Sequence, residues 1–141
     1  MVYGGGLLSG VARRWKNDFN ENSKSWAAAE TFPELCHNAV TAYEVPQTLR
    51  REVCVILLRS SLLSAKLRRT YQLTAEFLRR AGVCHAFVDA EGSGPLEHIL
   101  SSVYLGIWVS YYVALLYGVD PSPVPGIDLL KQRIRHPPGL G

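Results

Sequence analysis

The chain has 141 residues, 48% of them apolar and 19% charged, with a formal net charge of +3. That length suits one domain able to bury roughly two thirds of its unfolded surface, and the composition excludes a disordered or fibrous chain. Charges of both signs are interspersed, and the aromatic residues cluster in a charge-free run instead of among the basic ones, which disfavours nucleic-acid binding.

Met1-Val2-Tyr3-Gly4-Gly5-Gly6 carries no basic region, long apolar run or cleavage site of a secretory signal. Val2-Tyr3 predicts a strand stump, and the glycines turn it into an amphipathic helix over about Leu7 to Asn20, with Leu7, Leu8, Val11, Ala12 and Trp15 on one face. The triple glycine either presents backbone N–H groups to an anion or simply permits a tight turn and close packing. Pro33 starts a short helix carrying His37 and Asn38. The run Val53 to Leu58 predicts a central strand buried on both faces.

Leu62 to Ala81 has the spacing of a helix closed by Gly82, and Val83 to Ala90 predicts the next strand. From Ile99 to Val119 no residue is charged, which by length permits a membrane span. Ser101, Ser102, Gly106 and Ser110, the mid-segment tyrosines and the lack of basic flanks favour instead a buried or oligomer-facing helix, with no membrane partner. Asp120-Pro121-Ser122-Pro123 forces a turn, a last helix covers about Gly126 to Arg135, and residues 136–141 form a loose tail. Strands alternating with helices in this order indicate an α/β sandwich around a parallel sheet, formed by residues 1–141 as one domain.

Two residues stand out for chemistry. Glu21, in Asn20-Glu21-Asn22-Ser23-Lys24, is either a surface carboxylate paired with Lys24 or a base whose surroundings, Trp26 among them, exclude water. His37 is either a structural histidine or the partner of Glu21 in proton transfer. His85, His98 and His136 suggest no site, and no metal cluster has recognisable spacing, which disfavours metal catalysis. Cys54 and Cys84 read as small apolar residues of core strands. With Cys36 they make an odd, widely spaced set that forms no disulfide framework, which points to a reducing cytoplasm.

Taken together, Tyr3-Gly4-Gly5-Gly6-Leu7-Leu8, Gly10-Val11-Ala12, Arg14-Trp15-Lys16, Asn20 to Lys24 and Pro33-Glu34-Leu35-Cys36-His37-Asn38 resemble the bifunctional phosphoglucose/phosphomannose isomerases of archaea and bacteria. Tyr112 to Leu116, Gly118-Val119-Asp120-Pro121 and Ile127 to Lys131 look like the end of the same family. The resemblance implies a sugar isomerase (SIS) domain of flavodoxin-like topology, the second of two such domains in tandem. It implies that Glu21 moves a proton between C1 and C2 of an open-chain sugar phosphate through a cis-enediol. His37 then assists ring opening from the neighbouring subunit of a homodimer, and Lys131 either contacts substrate oxygens or is a plain helix-end cation.

The family's phosphate-binding serine and threonine loops and its enediolate-stabilising arginine belong to the domain not seen here. The abrupt start therefore implies a truncated product or a start within a longer reading frame. Losing the tandem partner should expose an apolar patch, covered by that domain or by homo-oligomerisation. The alternative is a non-catalytic SIS module that binds a sugar phosphate or a partner subunit.

Overall fold

The alternation of strand and helix is realised as one parallel sheet in the computed structural model, which describes residues 1–136. Val2–Gly5 (β1), Ala29–Phe32 (β2), Cys54–Arg59 (β3) and Cys84–Asp89 (β4) pair in the order β2-β1-β3-β4, every pair parallel. This is the winding of a flavodoxin-like sheet. The helices are Ser9–Asn22 (α1), Leu49–Glu52 (α2), Ala65–Arg80 (α3), Pro95–Leu116 (α4) and Pro125–Arg135 (α5). Of the tail expected from residue 136, residues 137–141 lie outside the described residues.

The architecture matches the sequence reading, with differences in detail. Strand β2 was not expected, because Ala-Glu-Thr-Phe shows no apolar run; at the sheet edge it pairs only with β1, and only its Phe32 is buried. The helix expected from Pro33 is a pair of 3-10 turns, Glu34–His37 and Ala39–Thr41. Gly6 enters the first helix with φ +57°, a conformation that favours glycine, so the triple glycine finishes β1 and turns the chain. Gly82, at φ +73°, closes α3 as predicted.

Side chains on the two faces of the sheet form two cores. Tyr3, Phe32, Val55 and Leu57 pack with Tyr71, Ala75 and Leu78 of α3. Val2 and Leu58 pack with Val11, Ala12 and Trp15 of α1, joined by Ile99, Val103 and Val109 of α4. The result is three layers, with each fully buried large side chain stabilising the fold by about 1.5–3 kcal/mol. Buried Tyr3 and Tyr43 place their hydroxyls 2.5 Å apart, which ties the loop beyond His37 to β1.

Helix α4 is built inside out. Its buried residues are His98, Ser102, Gly106, Ser110 and Ala114, one every fourth position, while Tyr104, Trp108, Tyr112 and Leu116 face outward. The narrow stripe lets α1 approach: the Trp15 indole N–H donates to the Ser102 carbonyl at 2.7 Å. A Cβ on Gly106 would overlap the Trp15 ring at Nε1. By length and composition α4 is apolar enough to cross a membrane, yet in this fold it seats its small residues on α1 and leaves its large ones exposed.

His98 is a satisfied core histidine. Its Nε2 donates to the Gly92 carbonyl at 3.0 Å, so its Nδ1 accepts from the Ser60 hydroxyl at 2.8 Å. Ser60 Oγ in turn accepts from the Leu62 N–H, fixing the turn after β3.

Gly106→Ala should therefore cost about 1–3 kcal/mol by overpacking against Trp15, read as a lower urea midpoint with an unchanged m-value; an unaltered midpoint would refute the close contact. The Tyr3, Tyr43 and Tyr71 hydroxyls are pushed above the usual phenol range, chiefly by burial. Their contribution is fully present below the unfolded value of about 10 and is lost as pH rises toward the folded values. Denaturant stability should fall steeply above about pH 10, and less steeply in Tyr43→Phe.

Candidate functional site

Helix α1 follows β1 and runs back along the sheet, so its last turn, with Glu21, stands at the edge where the strands begin. The next residues turn directly into β2, and the Val2 N–H donates to the Ala28 carbonyl at 2.8 Å. The polar residues around Glu21 close this helix end. Ser23 Oγ donates to the Phe19 carbonyl at 2.7 Å, and Asn20 Nδ2 donates to the Ser25 carbonyl at 2.8 Å. Asn22 Nδ2 donates to Ser110 Oγ of α4 at 2.8 Å.

Lys24 adopts φ +54°, a left-handed conformation uncommon for a residue with a side chain. Its ammonium donates to the carbonyls of Glu21 at 2.6 Å and Pro121 at 3.1 Å. Lys24 is therefore bonded to backbone and not to the Glu21 carboxylate, which is exposed and has no hydrogen-bond or ion-pair partner among the described residues. Trp26, expected to shield it from water, is 75% exposed and leaves it open.

The turn that follows α4 meets the Glu21 edge, so the start of α5 is on this side of the sheet. Asn22, Ile107, Trp108, Tyr111, Pro121 and Ser122 line an open groove of about 500 Å³ beside it. The role of α4 in forming this groove was not read from the sequence. The four-residue spacing of Ser102, Gly106 and Ser110 was the available signal, since a helix with small residues on one stripe must bring that stripe against a neighbour.

His37 is elsewhere. It ends the 3-10 turn that follows β2, at the edge where the strands finish, and its side chain is exposed. The length of β2, on the order of 10 Å, and the turns at both ends separate it from Glu21. The two residues that the sequence joined in one reaction thus stand at opposite edges of the same sheet and cannot meet within one copy. Lys131 is exposed on α5, and no residue of α5 is buried. Near His37's edge the guanidinium of Arg59 is committed to Asp89 at 2.5 and 2.7 Å, which holds the Asp89 carboxyl below its usual range.

No group of three or more His, Cys, Asp or Glu side chains that could hold a metal occurs among the described residues. Cys54 and Cys84, expected in the core, are exposed: each is the first residue of its strand, beyond the cover of the helices.

The model of the family described as bacterial phospho-glucose isomerase C-terminal SIS domain matches residues 1–134. The chain is 34% identical over 135 residues to the bifunctional phosphoglucose/phosphomannose isomerase of Aquifex aeolicus, covering 96% of this chain and 42% of that protein. To the protein of the same description from Caldicellulosiruptor bescii it is 33% identical over 137 residues, covering 95% of this chain and 40% of that protein. It thus spans about two fifths of the length of these relatives. Among solved structures, a glucose-6-phosphate isomerase like protein from Thermus thermophilus superposes with a TM-score of 0.71 at 23% identity, over 93% of this chain and 42% of that one, a likeness of fold. The wound parallel sheet and the match along nearly the whole chain establish that this chain belongs to the bacterial phospho-glucose isomerase C-terminal SIS domain family.

Proposed function

We propose that this chain is the proton-transfer half of a phosphosugar aldose-ketose isomerase. It interconverts glucose 6-phosphate or mannose 6-phosphate with fructose 6-phosphate, together with a second SIS domain, in the cytoplasm and without a metal or organic cofactor. The observation that carries this reading is the position of Glu21. Its carboxylate is unpaired among the described residues, at the end of a helix clamped by Trp15 and Asn22, one residue from a groove of a size suited to a small ligand.

In the proposed reaction His37 of a second copy assists ring opening at the sugar's ring oxygen. Glu21 then removes the proton from C2 of the open aldose and returns it to C1 by way of the cis-enediol, and Lys131 contacts the substrate oxygens. A positioned base of this kind contributes typically about 10²- to 10⁴-fold. The rest of the acceleration depends on fixing the phosphate and the enediolate charge, which this reading assigns to the other SIS domain. Exposure of Glu21 and Trp26 supports the same assignment, since water must be excluded by something docked on this edge. The outward aromatic face of α4 and the exposed Ile127, Leu130 and Ile134 of α5 are the apolar surface such a neighbour would cover.

The test is fructose 6-phosphate formation from each aldose phosphate by the protein in its longest native form. Glu21→Gln and His37→Ala should each lower turnover by about 10²-fold or more. Mixing the two inactive variants should restore roughly a quarter of wild-type activity in a homodimer, because half of the dimers are mixed and one site in two is then intact. Full activity in Glu21→Gln would end the role of Glu21 as the base, and a folded wild type that forms no fructose 6-phosphate would end the isomerase reading. Two inactive variants that never complement would place both residues in one subunit's site, against the geometry of the sheet.

A second reading, a non-catalytic module that binds a sugar phosphate or a partner subunit, is favoured by one observation: Glu21, His37 and Lys131 are all exposed in the single chain. It requires sugar phosphate binding without turnover, unchanged by Glu21→Gln.

A further inference from the structure

Cys54 and Cys84 take no part in the proposed isomerisation. They are aligned partners in the β3–β4 register, each the first residue of its strand. The Cys84 thiol donates to Cys54 Sγ at 3.0 Å, and both residues are exposed. Alternation along the strands puts both side chains on the face of Ile56 and Leu58, the face that α1 and α4 cover further up the sheet. Because α4 leaves the starts of β3 and β4 uncovered, the dithiol opens to solvent on the same edge as Glu21.

From this geometry we infer that Cys54 and Cys84 form a dithiol site that exchanges with small-molecule disulfides and closes into a reversible bridge between β3 and β4. The backbone already suits the bridge. Neighbouring strands lie about 4.7–4.9 Å apart, inside the range of about 4.4–6.8 Å that disulfides span between Cα atoms. The sulfurs need only close from contact to a bond of about 2.05 Å. Two thiols held in this way also give the second step of exchange a high effective concentration, so ring closure outruns capture of a second small thiol.

The reaction balances with a low-molecular-weight disulfide as oxidant. Both thiols are exposed and in contact, so either makes the first attack. When Cys84 does so, it gives its proton to solvent, and its thiolate bonds to one sulfur of the oxidant. The other half leaves as a thiolate, which takes up a proton. Cys54 then loses its proton and attacks Cys84 Sγ in the mixed disulfide, expelling the second half as a thiol. Two protein thiols are oxidised and one small disulfide is reduced to two thiols. The bridge joins positions 30 residues apart and encloses β3 and α3 up to the first residue of β4, constraining the unfolded chain.

The test equilibrates the reduced full chain with glutathione disulfide, followed by thiol titration and mass mapping of the peptides. The expected result is loss of two of the three thiols, with one crosslink between the Cys54 and Cys84 peptides and no glutathione retained on them. Dithiothreitol should reverse this, while Cys36 remains titratable. In Cys54→Ser the remaining Cys84 should hold glutathione as a stable mixed disulfide, because no neighbour is present to expel it. The thermal midpoint of the oxidised wild type should exceed that of the reduced form by on the order of 5 °C, a shift that Cys54→Ser and Cys84→Ser both lose. Stable glutathione on either residue of the wild type, a crosslink through Cys36, or three thiols that stay titratable across the oxidant series would each overturn the inference.

Discussion

The contact between Trp15 and the backbone of α4 governs the rest of the molecule. An indole is the largest side chain a helix can present, and here its pyrrole edge meets the small-residue stripe of the neighbouring helix, with its N–H bonded to the Ser102 carbonyl at 2.7 Å. Nearly two turns before Glu21 this fixes the axis of α1, and two bonds beyond it extend the register: Asn22 to Ser110 and Lys24 to Pro121. The carboxylate that carries the proposed chemistry is exposed, but the backbone beneath it is not free to wander. In the proposed reaction the base is preorganised by the packing of its helix, while its carboxylate has no hydrogen-bond or ion-pair partner among the described residues that would have to be broken first.

The same sheet that supports Glu21 keeps His37 away from it. In a wound parallel sheet every strand contributes one loop to each edge, and residues on a helix's last turn and after the next strand fall on opposite edges by topology alone. Side-chain flexibility cannot bridge that difference. A reaction needing both groups therefore needs two copies of the chain, and the exposed positions of both residues are what such an assembly requires of its parts. In the proposed reaction chemistry and assembly are one constraint, since Glu21 and His37 stand at opposite edges of the same domain.

How far the sequence revealed this depends on which signal each element carries. The run Val53 to Leu58 declared a central strand because a strand buried on both faces needs apolar residues without alternation, and Gly82 declared the end of α3 because its left-handed backbone favours glycine. Strand β2 escaped notice because an edge strand is held by backbone pairing on one side and needs little side-chain signal. Cys54 and Cys84 were misplaced for a related reason: apolar character predicts which strand a residue joins, not whether it lies at the strand's covered middle or its bare first position. Around Glu21, the short polar residues that read as a site mostly bond backbone at the helix end and so build the support beneath the carboxylate.

Helix α4 shows why hydrophobicity alone could not distinguish a core helix from an interface helix. In an ordinary amphipathic helix the large apolar residues face the core, and a reader of the sequence assigns the inner face by size. Here the inner face is Ser102, Gly106, Ser110 and Ala114, and the large residues Tyr104, Trp108, Tyr112 and Leu116 point away from the domain. Such an arrangement is stable only if the gain from close approach of two backbones exceeds what burying the aromatic side would give, or if the aromatic side is buried by something else. The first term exists, in Trp15 and its hydrogen bond, but it engages one stripe of the helix. The continuous outer surface is too large and too apolar to be explained by that contact. The inverted face of α4 is the surface that the proposed neighbour would cover, and it borders the same groove that opens beside Glu21. A neighbour seated on those aromatics would also close the groove, so the residues out of place in a single domain are those that would exclude water from the base.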